Sequence, residues 1–193
     1  KYIEHVKELY TDPQVAKTTA DFLEDIFMYL HSFASLEFNE GVEKTILAQG
    51  EIMSTNMVTN YLKEQGVKAV LLPALEYMKL NEEGEPDTIF IKENLKRILK
   101  ENPDYTTYIT QGFICRDSNG NIDNLQRGGS DYTACLIGAA LRAQEIQIWT
   151  DIDGMHNNDP RFVENTTPVR QLNFEEAAEL AYFGAKILHP TCI

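Results

Sequence analysis

A helical pattern runs directly into a buried strand in EIMSTNMVTNYLKEQGVKAVLLP, residues 51–73, and this stretch decides the fold class. Apolar residues recur near one face of residues 51–65, which predicts a helix, and Gly66 stands where helices commonly end. The run VKAVLL, residues 67–72, is short and apolar, and Pro73 stops it. A helix followed by a buried strand is typical of an α/β domain with a mostly parallel sheet.

The same alternation continues on both sides of this stretch. Helices are predicted at residues 14–30, 93–100 and 131–143 and from Asn173 onward, strands at 106–114 and 145–149, loops at 81–87 and 150–172, and a turn at 117–120. Glu176 lies three residues after Asn173, which is the spacing of a capping box. We therefore predict a three-layer α/β sandwich whose mostly parallel central sheet is covered by helices on both faces.

The front of the predicted sheet is incomplete. The chain opens with KYIEHVKELY, residues 1–10, which is polar and helix-like. A doubly wound domain commonly opens with a strand and a glycine-rich turn, so we expect the first strand to be lacking. The chain also stops soon after His189 and Pro190. We expect one domain, residues 1–193, truncated at both ends.

Composition and charge exclude several classes of protein. The 193 residues are 43% hydrophobic and carry a formal net charge of −13, which allows a substantial core and argues against nucleic-acid binding. No stretch is apolar enough to cross a bilayer. Cys115, Cys135 and Cys192 are too far apart for a disulfide framework or a zinc site, and they predict reduced thiols in the cytoplasm. Any phosphate site must be built locally from backbone N–H groups and a few basic side chains.

Two glycines precede a predicted helix in RGGSD, residues 127–131. Gly128 and Gly129 let the backbone approach a ligand closely, and Ser130 stands where an N-cap belongs. The N–H groups of the first helical turn favour an anion, and Arg127 offers a two-pronged contact to a carboxylate. On the local sequence alone, an ordinary glycine turn before a capped helix is an equal alternative.

Three further motifs lie in the carboxyl-terminal part of the chain. Asp151 and Asp153 follow a predicted strand and could bind a ribose hydroxyl, orient a lysine or help to hold Mg²⁺, although Asp-Gly turns are common. Arg161, in the long loop, could touch a phosphate or could be a solvated arginine. Lys186 could neutralise a transferring phosphoryl group, although a lysine there commonly serves the helix dipole. His156 is the one histidine singled out, because it lies in the long loop.

Glu51 begins the helix predicted at residues 51–65. A glutamate at a helix start is usually a favourable partner of the helix dipole. It could instead contact an amino group on a substrate. The local sequence leaves both roles open.

Together and in this order, the motifs resemble the aspartokinases of the amino acid kinase family. TQGFI, RGGSDYTA, IWTDIDG, NDPR and FEEAAELAYFGAKILHP occur in family order within residues 110–193, and GE at residues 50–51 with ST at 54–55 resembles the family's substrate-side helix. The resemblance implies an amino acid kinase-like fold and transfer of the γ-phosphate of Mg²⁺–ATP to the side-chain carboxylate of L-aspartate. The product would be 4-phospho-L-aspartate, in the first step of lysine, threonine and methionine biosynthesis.

The resemblance also implies a role for each motif residue. Arg127 would bind the carboxylate of the amino acid and Glu51 its ammonium group. Asp131 would organise the catalytic lysines, and Lys186 would stabilise charge on the phosphoryl group. His156 stands where a tyrosine is usual. The implied substrate-binding residues are Glu51, Arg127, Gly128, Gly129 and Ser130, and the implied nucleotide-binding residues are Thr150, Asp151, His156, Arg161, Lys186 and Ile187.

The sequence also departs from the family pattern. The lysine–glycine–glycine motif that opens aspartokinases is not found within residues 1–193, Lys1 cannot take its role, and we expect these residues not to include the regulatory ACT domains. We therefore expect residues 1–193 alone to have little or no activity, because losing one of two charge-stabilising groups costs orders of magnitude in rate.

Several expectations concern the whole protein and its partners. The full-length protein could be fused to homoserine dehydrogenase, and we expect it to be a cytoplasmic homo-oligomer with no nucleic-acid or membrane partner and no metal site on its own side chains. Two alternatives remain open. One is a kinase for another small carboxylate, and the other is a non-catalytic nucleotide- or amino-acid-binding module.

Overall fold

The computed structural model describes residues 1–150, 153–159 and 161–183. The helices are α1 (Tyr2–Leu9), α2 (Pro13–Ser32), α3 (Glu40–Glu64), α4 (Thr88–Glu101), α5 (Gly129–Leu141) and α6 (Phe174–Phe183), and the strands are β1 (Ala69–Leu72), β2 (Thr107–Thr110), β3 (Ile114–Arg116) and β4 (Ile122–Asn124). In this part of the chain no helix has the length and apolar character needed to span a bilayer. The chain divides into a first unit, Lys1–Asn124, and a second unit that begins at Leu125.

Helices α1, α2 and α3 enclose an apolar cluster in the first unit. The predicted helix at residues 14–30 is confirmed as α2, which begins with Pro13 after the cap Asp12, whose side chain accepts from the Gln14 N–H at 2.7 Å. The Tyr10 hydroxyl donates to the Met57 carbonyl at 2.8 Å and so fastens α1 to α3. The residues of this apolar cluster are Val6, Tyr10, Leu23, Met53 and Met57.

Helix α3 begins well before the predicted start at Glu51. Asn39 caps it by accepting from the Val42 N–H at 3.1 Å. Gly50, which disfavours a helix interior by about 1 kcal/mol, lies inside α3 because packing of the helix outweighs that preference. The predicted end is confirmed: Gly66 has φ +77°, and the N–H of Val67 donates to the Leu62 carbonyl at 2.9 Å, as in a Schellman motif.

Strands β1 and β2 are parallel and lie beside each other in register, with Ala69 opposite Thr107 and Leu72 opposite Thr110. Helix α4 forms the crossover between them, as a parallel connection requires. It is longer than predicted because Asp87 caps it at an earlier residue, accepting from the Phe90 N–H at 2.9 Å. Helix α3 packs against both strands, so it lies between the sheet and the apolar cluster.

The single strand predicted at residues 106–114 is wrong. Strand β2 ends at Thr110, and β3 begins a separate antiparallel hairpin with β4. Phe113 has φ +69°, a conformation that bulky residues rarely adopt, and it turns the chain between the two strands. The turn predicted at residues 117–120 is confirmed, since Asp117 accepts from the Asn121 N–H at 2.8 Å and Gly120 has φ +89°.

The second unit contains α5 and α6. The capping box of α6 is confirmed: the Asn173 side chain accepts from the Glu176 N–H at 2.8 Å, and the Glu176 side chain accepts from the Asn173 N–H at 2.9 Å. The strand predicted at residues 145–149 is wrong, because no described strand pairs with it. Apolar alternation alone does not make a strand without a neighbour to complete its hydrogen bonds.

Candidate active site

The parallel strands of the first unit end at one edge of the sheet, which is where α/β folds commonly bind ligands. Gln111 directly follows β2 at this edge and is only 2% exposed. Its side-chain carbonyl accepts from the backbone N–H of Ala74, just beyond β1, at 2.7 Å. The ends of both strands are therefore held together by one buried amide.

The same amide reaches helix α3. Gln111 Nε2 donates to Thr55 Oγ1 at 2.8 Å, and Thr55 Oγ1 donates to the Glu51 carbonyl oxygen at 2.7 Å. Residues four apart lie on the same helix face, so Glu51 lies one turn from the strand ends. This geometry puts the Glu51 turn of α3 at the carboxyl edge of the sheet.

The structure removes one of the two roles left open for Glu51. Glu51 lies in the interior of α3, beyond the first turn where a helix dipole acts on a carboxylate. Burial raises the pKa of its carboxyl group above the ordinary glutamate value. Within residues 1–150, 153–159 and 161–183 its side chain has no hydrogen bond or ion pair. A half-buried carboxylate of this kind suits a cationic ligand group.

Replacing Glu51 with glutamine is expected to make the ligand-free protein slightly more stable at neutral pH. The raised pKa means that folding favours the protonated carboxyl group, so the ionised form destabilises the folded state above that pKa. The difference should shrink as the pH falls towards 4, where the carboxyl group is increasingly protonated in both folded and unfolded states. Urea unfolding of wild type and Glu51→Gln at both pH values measures it. Glu24→Gln, on the exposed face of α2, is the control, and a variant less stable than wild type at pH 7 would contradict the prediction.

The turn before α5 carries the second group of predicted residues. Gly128 has φ +77° and is the N-cap of α5, and Gly129 is buried. The predicted N-cap Ser130 is wrong, because the left-handed conformation that glycine readily adopts starts the helix earlier. Ser130 lies exposed in the first turn beside Asp131, and Arg127 lies exposed just before it. The first N–H groups of a helix have no intrahelical acceptor and favour an anion.

His156 lies in a hydrogen-bonded loop of the second unit. It is 8% exposed, and its Nδ1 lies 2.9 Å from Thr166 Oγ1 while its Nε2 lies 2.6 Å from Asp153 Oδ1. The hydrogen bond to His156 holds the pKa of the Asp153 carboxyl group below its usual range. His156 also pairs through its backbone with Pro168. Because both ring nitrogens are engaged, His156 holds the loop together.

Arg161 is held by a carboxylate two residues earlier. Its Nε lies 3.0 Å from Asp159 Oδ1 and its Nη2 lies 2.6 Å from Asp159 Oδ2. Asp159 is only 4% exposed, whereas the Arg161 side chain is largely exposed. The guanidinium group is therefore fixed in direction and still accessible, as a contact to an anionic group requires.

Comparison with known proteins identifies the family to which this chain belongs. The model of the amino acid kinase family matches residues 3–193. The chain belongs to the amino acid kinase family. It is 35% identical over 184 residues to lysine-sensitive aspartokinase 3 of Escherichia coli, covering 94% of this chain and 41% of that protein. It is 36% identical to chloroplastic aspartokinase 1 of Arabidopsis thaliana, over 98% of this chain and 34% of that protein.

A solved structure agrees with the sequence relatives. The crystal structure of E. coli aspartokinase III in complex with aspartate and ADP superposes with a TM-score of 0.84 at 34% identity, over 96% of this chain and 42% of that one. The predicted α/β fold of the amino acid kinases is confirmed. This amino acid kinase chain spans less than half the length of the relatives it matches.

The predicted site residues divide between the two units of this amino acid kinase. Glu51 belongs to the first unit. The turn before α5 (residues 127–130), which we call the α5 turn, belongs to the second unit, as do Thr150, His156 and Arg161. Asp151, Lys186 and Ile187 lie outside the described residues, so the roles predicted for them stay predictions. Among the described residues no group of three or more histidines, cysteines or acids could hold a metal ion.

Gln111 lies in the TQGFI motif, residues 110–114, but the sequence alone assigns it no role of its own and does not connect it with Thr55. A polar residue directly after a strand of an α/β domain is a signal that it belongs to the ligand edge of the sheet. The partner of that residue could not be found in the same way. Thr55 and Gln111 are 56 residues apart along the chain, and only the packing of α3 on the sheet brings them together.

Proposed function

We propose that this chain is the catalytic domain of an aspartate kinase, which transfers the γ-phosphate of ATP to the side-chain carboxylate of L-aspartate. The observation that carries the proposal is the likeness to a structure of E. coli aspartokinase III with aspartate and ADP, at 34% identity over 96% of the chain. The chain has Glu51, Arg127 and Asp131 within the motifs that resemble those of aspartokinases. The product is 4-phospho-L-aspartate, and residues 1–193 form one domain of a longer protein.

The amino acid binds through the opposite charges of its α-carboxylate and its α-ammonium group. Arg127 takes the α-carboxylate, because a guanidinium group matches a carboxylate with two parallel hydrogen bonds. Glu51 takes the ammonium group, and its partial burial strengthens that attraction. Gly128, Gly129 and Ser130 lie beside the substrate at the start of α5. The side-chain carboxylate is left to accept the phosphoryl group.

The nucleotide binds through the second unit. Arg161 contacts the phosphates from its fixed position on Asp159, and His156 supports this site by holding its loop. Mg²⁺ reaches such sites mostly on the phosphates, with one or two carboxylates and water. The remaining proposed contacts are Thr150, Asp151, Lys186 and Ile187.

Phosphoryl transfer requires the protein to align the two substrates and to stabilise negative charge. Lys186 supplies positive charge to the transferring group, and Asp131 orients the catalytic lysines. The α5 turn adds backbone N–H groups. A local cationic site of this kind is needed because the chain as a whole carries a net charge of −13.

The proposal extends to the setting of the enzyme. We place the reaction at the entry to lysine, threonine and methionine biosynthesis, in the cytoplasm, in a homo-oligomeric full-length protein without nucleic-acid or membrane partners. The resemblance to aspartokinases supports the place in biosynthesis, and the net charge of −13 argues against a nucleic-acid partner.

The test is a substrate panel with the full-length gene product. L-aspartate, ATP and Mg²⁺ should give an acyl phosphate that hydroxylamine traps, together with an equal amount of ADP. L-glutamate and N-acetyl-L-glutamate serve as competing acceptors. If L-glutamate or N-acetyl-L-glutamate is phosphorylated and L-aspartate is not, the protein is a kinase for another carboxylate. Calorimetric binding of ATP and aspartate without turnover would show a non-catalytic binding module.

A further inference from the structure

We propose that Gln111 and Thr55 are positioning residues that set the place of Glu51 at the substrate edge. The inference rests on the proposed function, because it requires that Glu51 contact the amino acid. Its basis is the Gln111 bridge, which we define as the hydrogen-bonded path from Ala74 through Gln111 and Thr55 to the Glu51 carbonyl. The bridge joins the ends of β1 and β2 to the helical turn that carries Glu51.

The chemistry of the bridge fixes the direction of each hydrogen bond. The backbone N–H of Ala74 can only donate, so the Gln111 side chain must present its oxygen there and its NH₂ group to Thr55. Thr55 Oγ1 then accepts from Gln111, and its own proton goes to the Glu51 carbonyl at 2.7 Å. The Ile52 carbonyl lies farther from Thr55 Oγ1, at 3.3 Å, so the shorter hydrogen bonds define the arrangement of the bridge.

Burial makes this arrangement difficult to lose. Gln111 is 2% exposed, so water cannot readily replace a partner that is removed, and an unpaired buried amide destabilises its surroundings. The smallest structural change that could give the amide a new partner is a shift of one turn of α3 relative to the ends of β1 and β2. Glu51 lies on this turn, and a small displacement of a charged group weakens its contact with a substrate.

Thr59 provides an internal comparison on the same helix. It is 2% exposed, and its hydroxyl donates to the Thr55 carbonyl at 2.7 Å. Its hydroxyl therefore makes the same kind of hydrogen bond within the helix, to the carbonyl four residues earlier, as the Thr55 hydroxyl does. Thr55 also accepts from Gln111 and so joins α3 to the sheet. Removing each hydroxyl separates the effect of that bridge from the effect of losing a threonine in a buried helix.

The experiment measures steady-state kinetics of the full-length gene product for both substrates. Thr55→Val is expected to raise KM for aspartate on the order of tenfold, with KM for ATP changed by less than about twofold. Thr55→Ser keeps the hydroxyl and should behave like wild type. Gln111→Met should follow Thr55→Val, and Thr59→Val should follow wild type. Thermal unfolding of every variant checks that it is folded.

The outcomes separate this inference from the proposed function. If wild type phosphorylates aspartate and Thr55→Val has the kinetics of Thr59→Val, the positioning role is overturned and the function stands. If Thr55→Val raises KM for ATP as much as KM for aspartate, the bridge has only a general structural role. If wild type does not act on aspartate at all, the proposed function fails and the inference fails with it.

Discussion

Replacing Arg127 with alanine is expected to lower kcat/KM for aspartate on the order of 10²-fold, mostly through KM. Truncating one partner of a hydrogen-bonded charge pair typically costs about 2–5 kcal/mol when the pair is buried, much of it from the charge left unpaired. Arg127 lies directly before Gly128, whose φ of +77° begins α5, so it stands at the end of the helix whose first N–H groups favour an anion. Initial rates of the full-length gene product over a range of aspartate concentrations measure the effect.

Two further variants test whether geometry or charge carries the effect of Arg127. Arg127→Lys keeps the charge and loses the planar fork, so it should restore little of the affinity. Arg97→Ala is the matched control, because Arg97 pairs with Glu101 on an exposed face of α4 and should leave both kinetic constants unchanged. If Arg127→Ala has the same KM for aspartate as wild type, Arg127 does not bind the substrate.

Leu23→Ala is expected to lower the free energy of unfolding of the first unit by about 2–5 kcal/mol, as large-to-small changes in well-packed cores do. Leu23 is 0% exposed and lies in the apolar cluster with Val6, Tyr10 and Met53. The change removes apolar contacts and leaves a cavity that neighbouring helices fill only in part. Urea unfolding followed by circular dichroism measures the difference.

The control for Leu23 lies on the same helix. Met28 is 64% exposed, so Met28→Ala should change the unfolding free energy by less than about 0.5 kcal/mol. Equal unfolding midpoints for wild type and Leu23→Ala would show that the apolar cluster contributes little to stability.

Local signals made part of the fold predictable. Helix α2 is predicted to within two residues at each end, because Asp12 and Pro13 begin it and apolar residues repeat along it. The capping box at Asn173 and the glycine end at Gly66 are equally local. Such features depend on residues a few positions apart, which a sequence shows directly.

The errors have non-local causes. Helix α3 begins earlier than predicted, because packing of the whole helix outweighs the low helix preference of Gly50. The break after Thr110 depends on the left-handed backbone of Phe113, which no sequence rule for a bulky residue predicts. Residues 145–149 have the pattern of a strand, yet strand formation depends on a pairing partner elsewhere in the chain.

The candidate site was predictable as a set of motifs more than as a geometry. The glycines at residues 128–129 indicated a backbone that a ligand can approach, and the structure agrees in giving Gly128 a positive φ. The exact start of the helix beside them was not predictable, because it depends on that backbone conformation. The Gln111 bridge was not predictable either, since it requires a long-range contact between α3 and the sheet.

Helix α3 contacts both the apolar cluster and the edge of the sheet. Met53 and Met57 face the apolar cluster, while Thr55 is bonded to the sheet edge. Glu51 therefore shares one helix of 25 residues with side chains of the apolar cluster. Partial opening of the cluster, short of global unfolding, would change the position of Glu51, so affinity for the amino acid would decline before secondary structure is lost.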